Sequence, residues 1–160
     1  MKLNLGCGLD KREDHTNIDC REEVNPDLVI DLENEKLSRF DDNSVEHITC
    51  KDFLEHLNWH TVEDFLKDCH RVMKNGATIY IQTPDMEAIA HKVILNPTMK
   101  EDYRAISYWV YGSGDYGTPS LHKAGFTIPA LKKLLENTGF QVLEIKNDGG
   151  TNIICMAKKP

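Results

Sequence analysis

Three groups of residues carry the chemistry that this sequence can offer. The first is Asn4-Leu5-Gly6-Cys7-Gly8, directly after a short apolar run at the start of the chain. Glycines at the end of a strand let the backbone turn sharply and approach a ligand closely. The second is a pair of acids, Asp19 and Asp31, each closing a further short apolar run. A carboxylate after the second strand can accept both hydroxyls of a ribose, and one after the third can meet an adenine edge. The third group is the set of proton-transfer candidates Asp52, His56 and His122. His56 equally suits a helix cap or a core position, and His122 a surface loop. His56 and His60 stand four apart and could share a helix face, but no third ligand has convincing spacing, so no metal is expected.

The spacing around the glycines narrows the ligand. A dinucleotide site needs G-x-G-x-x-G, an acid about 20 residues on, and an intact helix N-terminus under the pyrophosphate. Here Lys11 occupies the third glycine position, and Asp19 follows Gly6 by 13 residues. The eight residues Leu9–Thr16 are too few for a loop and a crossover helix, which together need about 10–12. The first helix must be truncated, and a pyrophosphate would lose its anchor. A nucleoside that carries an amino acid would not, which points to S-adenosylmethionine (SAM) rather than NAD.

These residues need a sheet to bring them together. Lys2–Leu5, Thr16–Asp19, Leu28–Asp31, His47–Cys50, Thr78–Gln82, Gln141–Lys146 and Asn152–Ala157 read as strands. Trp59, Val62, Phe65, Leu66, Cys69, Val72 and Met73 recur at helical spacing, with Asn58 or Thr61 as the cap and Asn75-Gly76 as the stop. Met86–Leu95 reads as a helix before Pro97. Another has Thr127 as N-cap, Pro129 in its first turn, Ile128, Leu131, Leu134 and Leu135 as its buried stripe, and Gly139 at its end. Alternating strands and helices imply an α/β fold with a mostly parallel sheet. Only Asn147–Thr151 joins the last two strands, too short a link for a parallel crossover, so the final strand must run antiparallel as a hairpin.

Composition limits the partners. The formal charge of −7 disfavours nucleic acid, because phosphate contacts need clustered Lys and Arg. No apolar run approaches the ~20 residues of a membrane span, and no secretory leader is visible. Five scattered cysteines without a CxxC pair read as reduced thiols in a cytoplasmic protein, and the charge suits a small-molecule or protein partner. The aromatic stretch 103–116, with Tyr103, Tyr108, Trp109, Tyr111 and Tyr116, falls between the fifth and sixth strands. It would form a lid over an acceptor pocket, a helix packing its apolar face, or a dimer contact.

The sequence resembles class I SAM-dependent methyltransferases, specifically the small methyltransferase-11 type. The matching stretches are KLNLGCG (2–8), NID (17–19), Asp31-Leu32, FDDNSVEHI (40–48), DFLEHL (52–57), RVMKNG (71–76), TPD (83–85) and HKAGFT (122–127). The resemblance implies a Rossmann-like seven-stranded sheet of order 3-2-1-4-5-7-6 with the last strand antiparallel. It implies one domain over 1–160, with an insertion at about 86–126 covering the acceptor. Gly6, Cys7 and Gly8 would then face the methionine moiety of SAM, Asp19 the ribose, Cys20 the adenine, and Asp31 and Leu32 the adenine edge. Cys50, Lys51 and Asp52 would line the floor near the sulfonium. Asn4 replaces the usual acid of the first motif, and Asp52 stands where many relatives carry His. The expected activity is in-line methyl transfer to a small molecule; a SAM-binding module with little turnover is the alternative.

Overall fold

The computed structural model describes residues 1–160, apart from the side chains of Pro97 and Met99. Seven strands form one sheet: β1 (Lys2–Leu5), β2 (Thr16–Asp19), β3 (Leu28–Val29), β4 (Val45–Lys51), β5 (Met73–Pro84), β6 (Gln141–Asn147) and β7 (Asn152–Lys158). Their order is β3-β2-β1-β4-β5-β7-β6, as the family resemblance implies. The pairs from β3 to β5 are parallel, and β7 runs antiparallel to both β5 and β6. Asp148 shapes the closing hairpin, its Oδ1 accepting from the Gly150 amide at 2.7 Å.

The register sets one apolar face. Leu3 pairs with Ile48, Leu5 with Cys50, Ile48 with Ile79, Cys50 with Ile81, and Ile81 with Cys155. Because side chains alternate across a strand, all of these point to the same side. There they join the apolar stripes of α1 (Val62–Val72) and α5 (Ile128–Asn137) in one buried cluster. The opposite face carries Asn4, Asn17, His47, Thr49, Lys51, Thr78, Tyr80 and Gln82. Between β1 and β2 there are only turns, so the first helix is absent, and polar strand positions replace the apolar ones such a helix would cover. Loop backbone satisfies the buried amides here: Asn4 Nδ2 donates to Asp10 O at 2.8 Å, and Asn17 Oδ1 accepts from Arg12 N at 2.8 Å.

Several expected boundaries shift. α1 starts at Val62, so the helical period does not reach Trp59, which is exposed and stacks on His60. Neither Asn58 nor Thr61 caps the first-turn amides with its side chain; Asn58 Oδ1 accepts instead from His60 N at 3.0 Å. The chain passes straight from Val72 into β5. Asn75-Gly76 therefore lies inside that strand, where the Gly76 amide bonds Lys159 O at 2.8 Å. β3 ends at Val29, two residues before Asp31. α2 (Met86–Leu95) and the Thr127 cap of α5 match the sequence reading. Two further helices, α3 (Pro97–Glu101) and α4 (Tyr103–Tyr111), follow α2. No helix is long and apolar enough to cross a membrane among the described residues.

Leu66 is fully buried where α1 meets the sheet. Leu66→Ala is expected to cost about 2–5 kcal/mol in urea-induced unfolding; a loss below about 1 kcal/mol would contradict this packing.

Candidate active site

Strand register decides what meets at the carboxyl edge of the sheet. β1, β2 and β4 end together at Leu5, Asp19 and Lys51, and their loops open on a cavity of about 580 Å³. Gly6, Asp19, Cys20, Asp31, Leu32, Asp52, His56 and His122 all line it. Cys7, Gly8, Cys50 and Lys51 do not. Cys7 is buried beside the turn, Cys50 lies in the core, and Lys51 pairs with Asp10 on the polar face at 2.9 Å. Burial raises the Cys7 thiol to about 11 and pushes Cys50 higher still.

The glycine turn is closely tied to the second strand. The Cys7 amide bonds Ile18 O at 2.9 Å, and the Gly8 amide donates to Asp19 Oδ2 at 2.8 Å. Asp19 Oδ1 accepts from the amide and Nε of Arg21 at 3.0 and 3.2 Å. The Arg21 guanidinium then lies 4.5 Å from the centre of the Tyr116 ring. Gly6 has a φ of 64°, and a side-chain carbon there would fall 2.2 Å from the Phe53 ring. Phe53 therefore occupies the space directly over Gly6, and the room for a ligand lies beyond it, along Asp19, Cys20 and Asp31. Asp31 shapes its own turn: Oδ1 accepts from Glu33 N at 3.1 Å, and Oδ2 from Asn34 Nδ2 at 2.7 Å.

The other end of the cavity is built from the turn after β4 and the segment between β5 and β6. Asp52 adopts a left-handed φ of 51°, and its carboxylate accepts from Gln82 Nε2 at 3.0 Å. A 3-10 turn, Leu54–His56, follows. Glu55 is 2% exposed, and its Oε2 accepts the Thr83 hydroxyl at 3.0 Å. Burial raises its carboxyl to about 8, with Asp52 adding a smaller push. His56 Nδ1 lies 3.1 Å from Leu121 O, and His122 Nδ1 lies 3.2 Å from Trp109 O. The two rings meet edge to face at 5.0 Å, and burial lowers both pKa values, favouring neutral imidazoles. Gly112 permits this arrangement: it bridges to Leu121, and a Cβ there would clash with Ser120 O at 2.3 Å. Of the aromatic stretch, Tyr108, Trp109 and Tyr116 line the cavity, whereas Tyr103 and Tyr111 do not; all four tyrosines are exposed.

A methyltransferase-domain family model matches residues 3–81, about half of the chain. The chain belongs to the class I SAM-dependent methyltransferases. Solved methyltransferase structures share its fold. A SAM-dependent methyltransferase from Archaeoglobus fulgidus is 16% identical, with a TM-score of 0.67, covering 99% of this chain and 85% of its own. One from Methanosarcina mazei is 19% identical, with a TM-score of 0.67 and coverages of 99% and 91%. The 1,6-didemethyltoxoflavin-N1-methyltransferase of Burkholderia thailandensis, solved with that compound and S-adenosylhomocysteine, is 13% identical, with a TM-score of 0.61 and coverages of 99% and 70%. No curated protein matches. SAM is thus the methyltransferase's cofactor, and its chemistry is transfer of the activated methyl group.

Sequence reasoning missed five residues that shape this site. Arg21 and Phe53 close the glycine end, while Glu33 holds Lys123 at 2.6 Å and ties the turn after β3 to the strap before α5. Glu55 was legible only as part of the DFLEHL stretch (52–57), with nothing to mark it as buried. Arg21→Ala is expected to release Tyr116 and loosen residues 112–120. A cation–π contact of about 0.5–2 kcal/mol corresponds to roughly a two- to thirtyfold change in opening. Limited proteolysis of that segment should accelerate by such a factor; unchanged cleavage would show that the contact does not hold it.

Proposed function

We propose that this methyltransferase acts on a small-molecule acceptor by in-line displacement at the SAM methyl group. Adenosine would lie along Asp19, Cys20, Asp31 and Leu32, with the ribose hydroxyls on Asp19. The methionine end would reach toward Gly6. The acceptor would sit among Asp52, His56, His122, Tyr108 and Trp109. On this reading 1–160 is one methyltransferase domain, and the insertion at about 86–126 covers the acceptor and excludes water. Gly8 and Cys7 would shape the turn without touching ligand, while Cys50 and Lys51 would support the floor from below.

The observation that carries this reading is the continuity of the cavity. One space of about 580 Å³ joins the strand-end carboxylates to the aromatic and imidazole groups of the insertion. That volume is in the range of small-ligand pockets, roughly 300–1,000 Å³. Its acids, Asp19, Asp31, Glu33 and Asp52, would repel a phosphodiester, and its bases Arg21 and Lys123 are already paired. In-line transfer needs chiefly alignment of the nucleophile with the methyl carbon. Asp52, His56 and His122 are the groups placed to take a proton when the acceptor carries one.

One observation favours the alternative of a binding module with little turnover: Phe53 covers Gly6, and Arg21 engages Asp19. Release of S-adenosylhomocysteine from SAM in the presence of pooled small acceptors separates the two. Acceptor-dependent release is expected; saturable binding with no release from any acceptor would favour the module. Asp19→Ala should weaken S-adenosylhomocysteine binding by about 1.5–3 kcal/mol, roughly 10- to 150-fold, through loss of hydrogen bonds to a charged group. Unchanged affinity by calorimetry in the folded variant would remove Asp19 from the ribose.

A further inference from the structure

We propose that Glu55, His56 and His122 bind one divalent transition-metal ion of the zinc class at the floor of the cavity. One ligand atom from each residue lies within 4.8 Å of the other two. Ligands on a zinc ion sit about 3.3 Å apart when each bond is about 2.0–2.1 Å. Side-chain rotation of an ångström or so therefore closes the set. The sequence hides this cluster, because His122 is remote from the Glu55-His56 pair and the misleading neighbour is His60. His60 stacks on Trp59 and lies outside the cluster.

The surroundings suit a metal. Each Nδ1 faces a backbone carbonyl, Leu121 O at 3.1 Å for His56 and Trp109 O at 3.2 Å for His122. That contact holds the proton on Nδ1 and leaves the Nε2 lone pair for a cation, the usual support of a metal-bound histidine. Glu55 supplies a buried carboxyl oxygen, with the Thr83 hydroxyl on Oε2, and gives up its proton when a cation binds. The nearest lysine along the strap, Lys123, is committed to Glu33. Two imidazoles with one carboxylate select a borderline cation over magnesium or calcium, which prefer oxygen. Three protein ligands leave a fourth position facing the cavity that His56 and His122 line, open to water or a donor atom of the acceptor. A bound ion would also join the turn after β4 to the strap after α4, and with both imidazoles on the ion Asp52 would be the group left to take a proton.

The test is direct metal binding by the whole chain after treatment with a chelator. Calorimetry with zinc chloride should give one site per chain with a dissociation constant of micromolar or below. Cobalt(II) should develop visible absorption on binding. Thermal melting should rise with zinc, as binding to the folded state requires, and magnesium at the same concentration should leave it unchanged. His122→Ala and Glu55→Gln, each checked for folding by circular dichroism, should weaken zinc at least about 100-fold, whereas His60→Ala should not. Absence of saturable zinc binding by the unaltered chain would overturn the proposal. So would undiminished binding in both cluster variants, or tighter binding of magnesium. Binding of S-adenosylhomocysteine, measured on the same metal-free sample, reports separately on the cofactor end of the cavity.

Discussion

The parallel register of β1 with β2 and β4 is the constraint on which the site depends. Leu5 stands level with Ile18 and with Cys50, so the residues just beyond them emerge side by side. Gly6 and Asp19 are neighbours for that reason, and Asp52 follows one residue later, in the turn beyond Lys51. A slip of one residue in any pair would turn its apolar set to the other face and carry the polar end group away. The buried face prevents such a slip, because Leu3, Leu5, Ile48, Cys50, Ile79 and Ile81 share a single core.

The other face of the sheet shows how the chain manages without its first helix. A doubly wound sheet buries both faces, and its central strands read as continuous apolar runs. Here β1, β2, β4 and β5 alternate instead, with Asn4, Asn17, Thr49, Thr78 and Tyr80 on the face that lacks the helix. Asn4 and Asn17 are buried, yet they bond one another at 3.0 Å and the loop backbone around them. The glycine turn is thus braced by side-chain amides and by Asp19 rather than by a helix N-terminus. A nucleoside bearing an amino acid suits such a turn better than a pyrophosphate does.

Much of this was legible in the sequence, for reasons that differ by element. Strands β1 and β2 and helix α2 were readable residue for residue, because turns or caps bound their short apolar patterns closely. The antiparallel end followed from the short link Asn147–Thr151 alone. Trp59 misled because an apolar residue at helical spacing need not be in the helix. Asn75-Gly76 misled because a stop signal has the same composition as an irregular strand start. The pairing of Arg21 with Asp19 and of Glu33 with Lys123 depends on loops packing across the cavity, which no local pattern encodes. The meeting of Glu55 and His56 with His122 likewise needs the Gly112–Leu121 bridge to fold the strap back.

The central claim is that an adenosine seats at the strand ends with its ribose on Asp19, and that Arg21 holds the place until it arrives. A crystal structure of the chain with S-adenosylhomocysteine tests this most directly. The account predicts both ribose hydroxyls within hydrogen-bond distance of the Asp19 carboxylate, with the Arg21 side chain moved from Oδ1. A complex in which the ribose lies elsewhere while Arg21 still grips Asp19 would contradict it.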